Sequence, residues 1–140
     1  MKVNQAMHKG VQQVAPTTSV ADLAKLMKSD DIGALAVSEN NRIIGIVTDR
    51  DITVRALANG RDPSKTTARD VMTANPACCE QNDDIDEAVR LMEKKKVRRL
   101  PVTDADKRPV GMLSVGDVSH AVGEKISGKL IGAVSAHHAA

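Results

Sequence analysis

Phenylalanine, tyrosine and tryptophan are all absent from this 140-residue chain. Any planar ligand must be held by aliphatic side chains, backbone or arginine, because no ring is available to stack on it. The same absence weighs against single-stranded nucleic acid, which is usually gripped on aromatic platforms. Cysteine is nearly as scarce, with only the neighbours Cys78 and Cys79. Adjacent cysteines rarely bridge each other, and two thiols without clustered histidines do not make a zinc site. They read as small apolar residues on a strand in a reducing cytoplasm. No run of eighteen apolar residues occurs, so no membrane span is expected. The first residues, MKVNQAMHKG, lack the apolar core of a secretory signal. A strong charge imbalance is also missing. Twenty basic and eighteen acidic residues leave a formal +2, too near neutral to argue for nucleic acid.

Signatures of catalysis are absent in the same way. There is no Ser–His–Asp signature, no His-x-x-x-His zinc spacing and no Walker-type phosphate loop. Gly45 and Gly111 each stand alone, so there is no G-x-G-x-x-G fingerprint. No catalytic residue and no metal ligand is assigned, no cofactor is expected to be required, and the chain reads as a non-enzyme. His8 and His120 have no carboxylate or hydroxyl partner apparent in sequence and read as isolated surface residues, and His137 and His138 read as a frayed terminus.

What the chain does have is ordinary composition and a duplicated pattern. Hydrophobic residues make up 41% and charged residues 27%, as in a globular domain. A shift of 65 residues lays Met7 on Met72, Leu26 on Leu91, Ile32 on Val97, Leu35 on Leu100 and Val37 on Val102. One extra residue between Asp104 and Pro109 makes the shift 66, and then Gly45 meets Gly111, Thr48 meets Ser114 and Asp51 meets Asp117. Such a repeat implies two copies of one supersecondary unit.

Each copy reads strand–helix–strand–strand–helix. Short strands at Val11–Ala15 and Ala77–Glu80 precede polar, N-capping turns and helices with apolar residues at helical spacing. Apolar runs at Ala34–Val37 and Leu100–Val102 follow, then turns at Glu39–Arg42 and Asp104–Arg108, then a second strand that completes a hairpin. A single unit of roughly 55–60 residues is marginal alone. The expected fold is therefore mixed α/β (α+β), two pseudo-symmetric β-α-β-β-α repeats packed through their sheets. The expected division is 1–65 (core about 7–58), 66–125, and a tail over 126–140 that is partly helical or disordered. Residues 59–70, NGRDPSKTTARD, read as a polar connector.

At the end of each hairpin stands the most informative stretch, GIVTDRD at 45–51 and GMLSVGD at 111–117. The hydroxyl residue and the aspartate fall at i and i+3, on one side of a first helical turn. Thr48 with Asp51, and Ser114 with Asp117, could cap a helix or could bind a ligand carrying adjacent hydroxyl groups. Spacing leaves both readings open.

With DVMT at 70–73, VRRLPV at 97–102, weaker copies QAMH at 5–8 and IGALAV at 32–37, and the two G-h-h-[S/T]-x-x-D stretches (h, aliphatic), the chain resembles a tandem pair of CBS (cystathionine-β-synthase-type) domains, a Bateman module. That resemblance implies clefts for an adenine-containing ligand: AMP, ADP or ATP first, S-adenosylmethionine or NADH second. It implies that Asp51 and Asp117 accept hydrogen bonds from ribose hydroxyls, with Thr48 and Ser114 beside them. Ile32 and Gly33, and Val97, Arg98 and Arg99, would wall the adenine and reach phosphate, with Arg50 as an additional cation. Repeat two offers KKKVRR where repeat one has SDDIGA, so the two sites are expected to differ in their affinity for phosphate. The resemblance further implies a cytoplasmic homodimer that senses its ligand and modulates another protein. The alternative is a dimerisation or docking module with vestigial sites.

Overall fold

The computed structural model describes residues 1–135; His137 and His138 lie outside them. Two compact units result. One comprises Gln12–Pro76, and the other joins Met1–Val11 to the stretch from Ala77 onward. Each carries a mixed four-stranded sheet and its own apolar core.

In the Gln12–Pro76 unit, strand β2 (Gln13–Val14) leads into helix α2 (Val20–Asp30), hairpin β3 (Ala34–Glu39) and β4 (Arg42–Thr48), and helix α3 (Asp49–Asp51). That helix runs on as a π-helical segment over Ile52–Leu57. Ser19 starts α2 by accepting the Asp22 N–H at 3.1 Å, and Val20, Leu23 and Met27 supply its buried stripe. The hairpin turns through Asn40 and Asn41, both at positive φ, the geometry a two-residue hairpin loop demands. The other unit repeats this plan with β6 (Cys79–Glu80), α5 (Ile85–Lys95), β7 (Arg99–Thr103), β8 (Pro109–Ser114) and α6 (Val115–Ala121). Both hairpins carry a register shift at the same place, Val37/Ser38 and Val102/Thr103. The longer turn of the second is held by Asp104, whose Oδ1 accepts the Asp106 and Arg108 N–H groups at 2.9 and 3.0 Å. That turn contains the extra residue that moves the repeat from 65 to 66.

The compact units do not divide the chain where the repeat does. Helix α1 (Val3–Ala6) and strand β1 (His8–Lys9) precede repeat one, yet β1 pairs antiparallel with β8. Their counterparts α4 (Ala68–Val71) and β5 (Thr73–Ala74) precede repeat two, yet β5 pairs with β4. The first sheet therefore runs β1-β8-β7-β6 and the other β2-β3-β4-β5. The connector also belongs to the Gln12–Pro76 unit. Backbone bonds from Val20 to Thr66 and from Ala21 to Pro63 pin it against the start of α2, and Thr66 is buried.

This crossing explains the motif glycines. A Cβ on Gly45 would collide with Met72 and the Thr73 carbonyl, and one on Gly111 with Met7 and the His8 carbonyl. At Gly111 the β1 backbone passes too close for any side chain, while at Gly45 the main obstacle is the flexible Met72 side chain. Gly111→Ala should cost about 1–3 kcal/mol, as overpacking does, read as a lower urea midpoint; an unchanged midpoint would mean that β1 can move aside freely.

The tail is helical over its described residues. Helix α7 covers Glu124–Ser135, and its Leu130 and Val134 lie in the same apolar cluster as Leu100, Leu113 and Val118. Cys79 is buried at the start of β6, and burial pushes its thiol up to about 12. A thiol held protonated in that way is a packing group.

Candidate functional site

Both motif carboxylates sit where a buried strand gives way to a helix. Thr48 is the N-cap of α3: its Oγ1 accepts the Asp51 N–H at 3.1 Å, while its own N–H donates to Asp51 Oδ2 at 2.9 Å. Ser114 repeats this at α6, with its Oγ accepting the Asp117 N–H at 3.1 Å and its N–H donating to Asp117 Oδ2 at 2.9 Å. These are two reciprocal capping boxes. The capping reading is therefore structurally real.

It does not use up the carboxylates. A third box, Thr67–Asp70, starts α4 with the same N–H to Oδ2 distance of 2.9 Å. Hydrogen bonds from the Thr67 backbone and hydroxyl hold the Asp70 carboxyl below the usual carboxylate range, with Arg61 adding a smaller pull. The side chain of Asp70 is 37% exposed, whereas those of Asp51 and Asp117 are each 14% exposed. A cap needs only Oδ2. Partial burial of a carboxylate costs free energy, so the remaining oxygen, Oδ1, is the chemically interesting one.

The strand pairing gathers the other expected residues around these caps, unit by unit. Ala34 pairs with Thr48, and the Asp49 N–H donates to the Gly33 carbonyl at 3.0 Å, which brings Ile32 and Gly33 beside the first motif. Arg99 pairs with Ser114, and the Val115 N–H donates to the Arg98 carbonyl at 2.9 Å, which brings Val97, Arg98 and Arg99 beside the second. Arg98 and Arg99 are exposed, as are Lys94, Lys95 and Lys96 at the end of α5. Backbone pairing thus sets Arg98 and Arg99 next to the second motif, while the equivalent positions in the other unit are the neutral Gly33 and Ala34. Arg50 is exposed, with its backbone N–H donating to Asp49 Oδ1 at 2.8 Å.

Two neighbours of the carboxylates were not singled out from sequence. Arg55 places its Nε 3.8 Å from Asp51 Oδ1. Its Nη1 donates to the Val71 and Met72 carbonyls at 3.1 and 2.9 Å, so the guanidinium is pinned. The i,i+4 spacing from Asp51 was the available signal. His8 is indeed exposed but not isolated: its Nδ1 lies 3.2 Å from Asp117 Oδ1. No local pattern could reveal that contact, because it depends on β1 pairing with β8. An open groove of about 730 Å³, lined by Asn4, Gln5, Met7, Lys9, Gln81 and Val110, contains none of the expected site residues. Among the described residues no cluster of three His, Cys, Asp or Glu could hold a metal ion, and no helix is long and apolar enough to cross a membrane.

The CBS domain family model matches residues 3–57 and again 68–124. The chain belongs to the CBS domain family. As a CBS pair it is similar to YhcV, a CBS domain-containing protein of Bacillus subtilis, at 34% identity over 117 residues, 84% of this chain and 82% of that one. It is 30% identical over 119 residues to an uncharacterised protein of Methanopyrus kandleri, matching 84% of this chain but only 61% of the relative's length. Among solved structures it resembles CBSX2 in complex with AMP (TM-score 0.74, 28% identity, 86% of this chain and 94% of that chain). It also resembles the CBS domain pair of MJ0100 in complex with 5′-methylthioadenosine and S-adenosyl-L-methionine (TM-score 0.79, 26% identity, 89% and 98%). Those two CBS structures hold adenosyl compounds, and the chain also matches 23% of the length of the inosine-5′-monophosphate dehydrogenase of Methanocaldococcus jannaschii, at 31% identity.

Proposed function

We propose that this CBS pair is a regulatory binding protein for an adenine nucleotide of the AMP, ADP or ATP type, and that Asp51 and Asp117 take the ribose hydroxyls. The observation that carries this reading is the pair of partly buried carboxylates whose Oδ2 closes a cap while Oδ1 carries no bond from the motif itself. An ionised carboxylate is acceptor-only and suits a cis-diol, with charge-assisted bonds worth about 1.5–3 kcal/mol each. The adenosyl compounds held by the two related structures support the same ligand class. Without aromatic rings, the adenine must lie on aliphatic side chains, and the partly buried Ile32 and Val97 are the candidates. S-adenosylmethionine and NADH share the adenosine and are the secondary candidates.

Signalling would follow from differential affinity. A ligand that fits one arrangement of the protein better than another shifts the population toward it, by no more than that difference. The output would pass to a regulated partner protein from a cytoplasmic homodimer that performs no catalysis of its own. The test is isothermal titration with AMP, ATP, S-adenosylmethionine and NADH. Saturable binding of at least one supports the proposal. Silence from all four favours an interaction module with vestigial sites, a reading supported by the Thr67–Asp70 box, where the same residue spacing occurs at a helix start outside the two glycine-led motifs.

The asymmetry of cations makes a further prediction. Arg99→Ala should weaken ATP binding about tenfold, as loss of one charge-assisted contact does, while adenosine binding stays unchanged. Equal affinity of the variant and the parent protein for ATP would remove Arg99 from the phosphate site.

A further inference from the structure

The two carboxylates have different companions, and the difference lies in residues that the repeat does not preserve. At Asp51 the companion is Arg55, whose repeat counterpart is Ala121; at Asp117 it is His8, whose counterpart is Thr73. The registers make the second comparison strict, since His8 faces Met112 across its sheet and Thr73 faces Ile46, the residue equivalent to Met112. Arg55 is anchored to two backbone carbonyls and stands 3.8 Å from its carboxylate, too far for a hydrogen bond. His8 stands at 3.2 Å from Asp117 Oδ1, and its side chain is 83% exposed, free to turn outward. We propose that His8 is a specificity-determining gate on the Asp117 site: its imidazole occupies the one carboxylate oxygen that the helix cap leaves open, and a ribose diol must displace it. This rests on the reading of Asp117 as a ribose acceptor.

The chemistry follows from lone pairs. Asp117 Oδ2 already accepts the Ser114 N–H at 2.9 Å, so a diol placing both hydroxyls on this carboxylate needs Oδ1. An imidazole standing 3.2 Å from Oδ1 fills the space through which a hydroxyl would reach that acceptor. An exposed pair of this kind is weak, which makes it a gate and not a block. Among the described residues the Asp51 site has no such competitor, because its companion is pinned beyond hydrogen-bonding distance. The CBS pair would then fill its Asp51 site on adenosine contacts alone. The Asp117 site would favour ligands whose phosphates, held by Arg98 and Arg99, offset the displacement of His8.

The experiment isolates the Asp117 site with Asp51→Asn and measures AMP binding with and without His8→Ala. His8 is exposed and its strand pairs through backbone, so the variant is expected to fold. AMP should bind the His8→Ala form about two- to fivefold more tightly, the size of an exposed ion pair. His8→Thr, which installs the residue of the other unit, should do the same. In an Asp117→Asn background His8→Ala should change nothing. Nitrogen-15 NMR of the imidazole gives a readout that a merely structural role would not move: the His8 Nδ1 signal should shift as AMP saturates. AMP binding at Asp117 with a stationary His8 signal and unchanged affinity in His8→Ala overturns the gate and leaves the site standing. Binding by neither form, at either carboxylate, removes the ribose reading and the gate with it.

Discussion

Asp117→Asn should weaken AMP at its site by roughly ten- to a hundredfold, and should barely disturb the fold. Asparagine keeps an oxygen for the Ser114 N–H, so the cap at the start of α6 survives. It loses the charge and one of the acceptor oxygens that a cis-diol needs, and a charge-assisted bond is worth about 1.5–3 kcal/mol. Capping and binding are thereby separated, which alanine could not do, since removing the cap alone costs about 1 kcal/mol. Asp70→Asn is the control, because it alters a box with the same backbone N–H to Oδ2 bond on a more exposed carboxylate and should leave AMP affinity unchanged. Asp51→Asn should repeat the Asp117 result at the other site. Affinity unchanged in both variants, with intact stability, would leave the motif aspartates as helix caps only.

That experiment addresses the one question the sequence left open. The repeat was legible because apolar positions and punctuation recur together, and the strand–helix–strand–strand–helix plan follows from it residue by residue. Helix starts, hairpin turns and the neighbourhood of Thr48, Asp51, Ser114 and Asp117 are all local features, encoded within a few residues of one another. What local pattern cannot carry is the exchange of flanking segments. Met7 aligns with Met72, yet each packs on the glycine of the other repeat's motif, Gly111 and Gly45. The ion pair of Lys2 with Asp84 at 2.8 Å and the meeting of His8 with Asp117 belong to the same exchange. Both join residues far apart in sequence, His8 through the pairing of β1 with β8 and Lys2 through its own bridge to Asp84, and no local pattern marks either partner. Arg55 differs in kind. Its i,i+4 spacing from Asp51 is visible in the sequence.

The C-terminal helix yields the largest expected effect on stability. Leu130→Ala should lower stability by about 2–5 kcal/mol, the usual cost of emptying a buried leucine site. Leu130 is fully buried, in one apolar cluster with Leu100, Leu113 and Val118. Its neighbour Ile131 is 48% exposed, so Ile131→Ala should cost well under half as much. Thermal unfolding of the two variants side by side reads the difference, and equal midpoints would show that α7 is not docked. The consequence extends to the site. Helix α7 packs on α5 and α6, and α6 carries Asp117 at its third residue, with Val118 beside it in the core. Loosening Leu130 should therefore weaken AMP at Asp117 and spare the Asp51 site, whose caps, strands and core belong to the other compact unit. A loss shared equally by both sites would show that the two units respond as one cooperative body.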